Sequence, residues 1–288
     1  MIKLNLGMEP ADLETERRAR LPLAIDAFNS HGDNHKEFKD LLDDGYQVAR
    51  ATLYERQHGK CAFCESNEVT AFRPVEHFRP KKGAQDKVNG RWVTVSTHYW
   101  WLTWTWDNLY FSCQSCNMSG SKGSKFPITL GTTRTIAPTR PIAGSVDPFH
   151  YILTDEEPLL LDPRIDSPLD HLEWTPVNRF QNKSQWRWTV EGRDPRGAMT
   201  VEVLRLKAKE DLVNRHLVAV RLLWYQINNH ILSGRRVDAI NCWEDLVSNY
   251  IDNPLQPFRN AAWWAANSLM PKTDRVLHGL REPTIPSV

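Results

Sequence analysis

Apolar positions at helical spacing toward both ends, and a turn-rich middle stretch carrying two Cys-x-x-Cys pairs among short apolar runs, predict a mixed α+β chain. Four regions follow from these signals. Residues 1–57 read as an N-terminal helical region, 58–130 as a core stapled through its cysteines, 131–198 as loop with a small sheet, and 199–288 as a C-terminal helical region.

From Ala11 to Gln57 the apolar positions Leu21, Leu23, Ala24, Phe28, Phe38, Leu41, Leu42, Val48 and Leu53 suit two or three helices. The Gly- and Asn-bearing stretch Asn29–Asn34 breaks them. His58–Pro80 is turn-rich. Trp92–Val95 and Asp107–Phe111 read as short strands, and Gln114–Lys122 as a turn opening a short helix. Ile128–Pro148, rich in Thr, Pro and Gly, reads as a loop. Leu159–Leu161 and Trp186–Val190 read as strands between turn signals. Helical spacing returns at Met199–Ile231, Asp238–Ile251 and Phe258–Leu269.

The composition excludes some function classes. With 288 residues, 41% apolar and 25% charged, the chain can bury a sizeable core. A net charge of +1 gives no global pull toward a polyanion, so any nucleic-acid footprint must be local. No run of eighteen apolar residues predicts a membrane span, and Met1–Arg20 is charged where a signal peptide needs an apolar stretch. The expected location is the cytoplasm, where thiols stay reduced and cysteine pairs serve more often as metal ligands than as disulfides.

Cys61/Cys64 and Cys113/Cys116 can each present two thiolates from one tight turn, and together they complete an S4 set suited to Zn²⁺. Four protein ligands leave no open position, so this zinc is expected to be structural. The alternative is two unrelated pairs, or a redox pair beside a chance one. The stretch between the pairs is longer than a zinc ribbon's, which predicts that something functional is carried there. Cys242, alone in an apolar helical context, is expected to pack in the core. Twelve Trp residues mark large aromatic anchors. Tyr99, Trp100, Trp101, Trp104 and Trp106 have the density for stacking on bases, but their spacing favours the core.

Between and around the pairs stand Cys61-Ala-Phe-Cys64-Glu65, Glu76-His77-Phe78-Arg79-Pro80-Lys81, Tyr99-Trp-Trp-Leu102, Asp107-Asn108-Leu109, Cys113-Gln-Ser-Cys116-Asn117, Lys122-Gly123 and Phe126-Pro127, with Glu157-Pro-Leu-Leu-Leu-Asp162-Pro163 downstream. This order resembles the HNH endonuclease family, and its wording is closest to the branch that serves Septu-type antiphage systems beside an ATPase. The resemblance is dense over residues 50–165. It implies a ββα-metal core, a metal-dependent nuclease acting on DNA in preference to RNA, and an ATPase partner. It implies further that His77 is the general base, that Glu76 and Asn117 hold a catalytic Mg²⁺ or Mn²⁺, and that Asn108 braces the loop carrying His77.

Two positions depart from the family pattern: Asn117 stands where many members carry His, and Glu76 where Asp is frequent. Asn117 also reads as a helix cap, Glu76 as a solvated carboxylate, and His77 as a supporting histidine. Asp107 is a further candidate ligand. Arg79, Lys81, Lys82, Lys122 and Lys125 would converge on one face if the pairs share a zinc, there to hold phosphates; an ordinary solvated charge cluster is the alternative. Two rivals to the nuclease are a silent zinc module that only binds nucleic acid, and a scaffold for an ATPase complex.

Overall fold

A computed structural model describes residues 1–67, 72–95, 99–135, 155–177, 183 and 186–288. They form two compact units: Leu6–Cys61 with Glu68–Arg164, and Met1–Asn5 with Ala62–Asn67 and Ile165–Val288. The architecture is mixed helix and small sheets, as the sequence predicts.

In the first unit, α1 (Ala11–His31) carries Asp12 and Glu14 in its first turn, where the helix dipole favours acids. Glu14–Arg18 and Glu16–Arg20 add i,i+4 pairs. The helix stops at Gly32, whose φ of 74° suits glycine and whose N–H closes on Phe28 O at 2.8 Å. Phe28, Phe38 of α2 (Lys36–Leu42) and Trp100 form an aromatic knot with centroids 4.9–5.6 Å apart. After α3 (Arg50–Arg56), β1 (Val75–His77) pairs antiparallel with β4 (Leu109–Phe111), setting Glu76 opposite Tyr110 and His77 opposite Leu109. Between them lies the hairpin of β2 (Gln85–Val88) and β3 (Arg91–Thr94). One helical turn, α4 (Gln114–Asn117), follows β4. Tyr99, Trp100, Trp101, Trp104 and Trp106 are all buried, so this aromatic run is core and offers no stacking surface.

The second unit pairs β5 (Leu172–Pro176) with β6 (Trp188–Gly192), the former opened by a single turn, α5 (Pro168–His171). α6 (Pro195–Val203) packs so closely on this ribbon that a Cβ at Gly192 of β6 would meet Ala198 N at 2.0 Å. The long α7 (Glu210–Leu232) buries Val213, Leu217, Val220, Trp224 and Ile227 at helical spacing. Its Asn214 bonds both Trp188 N at 2.7 Å and Trp188 O at 2.8 Å, standing in for a neighbouring strand. α8 (Arg236–Val247), α9 (Arg259–Leu269) and α10 (Lys272–His278) complete it.

Several sequence expectations are corrected. Leu159–Leu161 is not a strand: Pro158 forms an isolated bridge with Ile128, and Pro cannot donate to extend it. The helical spacing over Met199–Ile231 breaks at Arg205, which adopts left-handed backbone at φ 50° between two helices. Cys242 is half-buried on α8, not fully packed. The loop expected at Ile128–Pro148 lies from residue 136 onward outside the described residues. Among the described residues no helix is long and apolar enough to cross a membrane.

Candidate functional site

The cysteine pairs meet. Cys61, Cys64, Cys113 and Cys116 are buried, with their sulfurs within 4.8 Å of one another. A tetrahedral Zn²⁺ with bonds of about 2.3 Å places sulfurs about 3.8 Å apart, so modest closure completes the site. Two hydroxyls stand beside these sulfurs, Ser66 at 3.0 Å from Cys64 and Ser115 at 3.3 Å from Cys113, while Ser112, 3.9 Å from Cys61, donates its own proton to Cys113 O. Ser66 and Ser115 can donate to a thiolate, and such outer partners stabilise the charged ligand. The residues present fit a structural zinc.

The same knuckle sets up a second site. Asn117 closes α4 directly after Cys116, and Lys122 N returns to Cys116 O at 3.2 Å. That return carries the Lys122 side chain to β1, where its ammonium donates to Glu76 Oε1 and to His77 O, both at 2.6 Å. Lys122 is fully buried. Glu76 meets Lys122, while the His77 ring meets Thr103 and Tyr46. His77 Nε2 lies 3.0 Å from Thr103 O, and the Tyr46 ring meets the imidazole edge-on at 4.7 Å. A carbonyl only accepts, so Nε2 carries the proton and Nδ1 keeps its lone pair. No protein hydrogen bond among the described residues reaches Nδ1.

Burial, reinforced by the Lys81 charge, holds the His77 pKa down to about 3, so the imidazole is neutral across the physiological range. Burial raises the Glu76 carboxyl, and Lys122 opposes that rise. Asn108 ties down the chain beyond His77: its Oδ1 accepts from Arg79 N at 2.7 Å, its Nδ2 donates to Arg79 O at 3.1 Å and to Leu102 O at 3.2 Å, and Asn108 O accepts from Phe78 N.

Glu76, His77 and Asn117 line one cleft of about 480 Å³, along with Tyr46, Gln47, Arg50, Lys81 and Lys82. Asn117 is at the C-terminal end of its helix, so it caps no N-terminus; the cap reading is set aside. Asn117 and Glu76 both line this cleft, and no protein hydrogen bond among the described residues reaches Glu76 Oε2. Carboxylate and amide oxygens are donor types that suit a hard divalent cation. Asp107 does not join Glu76 and Asn117, being held by Arg164 at 2.9 Å outside the cleft.

The five predicted phosphate-binding cations are distributed differently from expectation. Lys122 is a buried counter-ion with no free face for a phosphate. Arg79 donates to buried Glu156 at 2.9 Å. Lys81 and Lys82 both pair with Asp43, and burial pulls Lys81 down to about 8. Lys125 reaches Ser121 O at 2.7 Å. Several supports escape sequence reasoning. Glu156 also accepts from Tyr99 Oη at 2.7 Å, Asp162 accepts from Tyr110 of β4, and Arg164 donates to Trp106 O and Leu109 O. Only the downstream Glu157–Pro163 wording hinted that this segment matters. A second group, His31, His35 and Glu37, brings its ligand atoms within 4.8 Å, but all three are exposed.

Fold and site together define a thiol-centred, mixed helix-and-sheet protein with an acid–histidine cleft. Sequence comparison supports a relationship to the Septu protein PtuB. The chain is 34% identical to Septu protein PtuB of Bacillus mycoides (strain KBAB4) over 165 residues, covering 56% of this chain and 48% of that protein. It is 25% identical to Septu protein PtuB of Bacillus thuringiensis over 182 residues, 61% of this chain and 49% of that one. A 149-residue stretch is also 25% identical to Septu protein PtuA of Bacillus mycoides (strain KBAB4), covering 18% of it. The chain thus spans about half the length of the PtuB relatives it matches. No family model matches it, and no solved structure matches it significantly.

Proposed function

We propose that the chain is a metal-dependent HNH endonuclease of a Septu-type antiphage system, hydrolysing phosphodiester bonds, with DNA favoured over RNA and a PtuA-like ATPase as partner. The observation that carries it is the fixed tautomer of His77: a neutral imidazole, locked through Nε2–H on Thr103 O, beside Glu76 and Asn117 in one cleft. In this reading Nδ1 takes a proton from the attacking water as the water oxygen bonds to phosphorus, and the leaving oxygen departs on the far side. Glu76 Oε2 and Asn117 hold Mg²⁺ or Mn²⁺, which when bound supplies charge neutralisation on the phosphate and the leaving oxygen. Asn108 and Thr103 keep the base in place. The strand pair β1–β4 followed by α4 is the ββα-metal core of this reading, and the thiol zinc holds its ends together. The defence role and the partner rest on the named relatives.

One observation favours a second reading, a silent zinc module that binds nucleic acid or scaffolds an ATPase complex: Lys122 already neutralises Glu76. Plasmid DNA and total tRNA incubated with the zinc-loaded protein and Mg²⁺, Mn²⁺ or EDTA separate the two. Cutting is expected with either metal, none with EDTA, and a fall of at least about 100-fold in both His77→Ala and His77→Gln. His77→Gln keeps a donor for Thr103 O and so controls for folding. Absence of cutting, alone and with the ATPase, selects the silent module.

A further inference from the structure

The cations that line the cleft are not equivalent. Lys81 and Lys82 are already paired with Asp43, and Lys122 behind them with Glu76. Arg50, the first residue of α3, lines the same cleft and has no ion pair or hydrogen bond among the described residues. Its Nε is buried without a partner, a state that costs free energy until a ligand supplies an acceptor. Its guanidinium lies 5.8 Å from the centroid of the Phe72 ring. Phe72 also lines the cleft and is 66% exposed, in contrast to the buried aromatic run Tyr99–Trp106. On the same wall Gln47 donates its Nε2 to Asp43 O at 2.7 Å, while its buried Oε1 has no partner.

An unpaired guanidinium and an exposed flat ring thus line one cleft beside the candidate base. Each asks for a different part of a nucleotide: a phosphate for the fork, a base face for the ring. A duplex keeps its base faces stacked internally, so only an unpaired base can lie on Phe72. We propose that Arg50 and Phe72 form a substrate-strand subsite, Arg50 binding a phosphate next to the scissile one and Phe72 stacking an unpaired base, so that the substrate is single-stranded where it is cut. This rests on the nuclease reading and narrows its substrate class.

The test is binding in EDTA, without chemistry. Fluorescence anisotropy of the full zinc-loaded chain is measured with a labelled single-stranded DNA, a single-stranded RNA of the same sequence, and the DNA duplex, across a salt series. Tighter binding of a single strand than of the duplex is expected. Arg50→Ala should weaken single-strand binding about tenfold and flatten the log–log salt slope by about 0.7. Phe72→Ala should weaken it by about 5- to 100-fold, with Phe72→Trp restoring it. Both positions are at least partly exposed, so zinc content and melting temperature serve as folding controls. Equal binding of duplex and single strand, no binding of either single strand, or variants that bind like the wild type would each overturn the subsite. The nuclease reading fails separately, if single strands bind as expected but no metal-dependent, His77-dependent cutting follows. His77-dependent cutting of a duplex that Arg50→Ala leaves unchanged sinks the subsite alone.

Discussion

At the scale of single residues, His77 owes its protonation to its neighbours. Its ordinary pKa would be near 6.5, and burial beside Lys81 takes it to about 3. The folded state therefore binds fewer protons at this ring than the unfolded state between those values. The sign follows: the contribution to stability is complete above about pH 6.5 and is lost as pH falls toward 3. Wild-type protein should lose melting temperature on acidification through this window more steeply than His77→Gln, measured under identical zinc loading. Parallel pH profiles for the two proteins would show that the ring is not held neutral. Lys122 teaches a related point. A lysine near a proposed ligand suggested phosphate contact, yet complete burial makes it a counter-ion that orders Glu76 and the His77 carbonyl instead.

At the scale of elements, β1 and β4 are only three residues each, too short to stand alone. Their position is fixed by side chains from distant segments. Arg164 is the chief of these: its guanidinium donates to Trp106 O at 2.8 Å and Leu109 O at 3.0 Å, pairs with Asp107, and lies 4.6 Å from the Trp106 ring. Removing it strands two carbonyls, while the 60%-exposed Asp107 carboxylate turns to water. Arg164→Ala is expected to cost about 2–3 kcal/mol by denaturant unfolding, and Arg164→Lys to recover little, because an ammonium lacks the planar fork. Recovery of full stability by lysine would show that charge alone matters there. Asp162 on Tyr110 Oη and Glu156 on Arg79 and Tyr99 support the same strands from the same downstream segment.

At the scale of the whole molecule, the thiol centre joins knuckles that are far apart in sequence, so its metal closes a long loop that would otherwise cost chain entropy. One zinc per chain is expected by native mass spectrometry. Cys113→Ala should lose that zinc and lower the melting temperature by about 10 °C or more, since structural zinc sites contribute several kcal/mol to folding. Retention of stoichiometric zinc in Cys113→Ala would break the four-thiol assignment.

Much of this was legible in the sequence. Cys-x-x-Cys spacing marked the thiol set, because the ligand type and the tight turn are both local. Helical periodicity marked α1, α7, α8 and α9, because one buried face repeats every three to four residues. The family resemblance pointed to Glu76, His77 and Asn117, which line one cleft, and to Asn108, which holds the chain just beyond His77. Tertiary structure alone decided what each of them touches: that Thr103 O selects the His77 tautomer, that Lys122 is sealed against Glu76, that Asp107 belongs to Arg164, and that Arg50 lines the cleft with no ion pair or hydrogen bond among the described residues. These are contacts between segments tens of residues apart, and charge pairing and burial depend on spatial neighbours that no local pattern encodes.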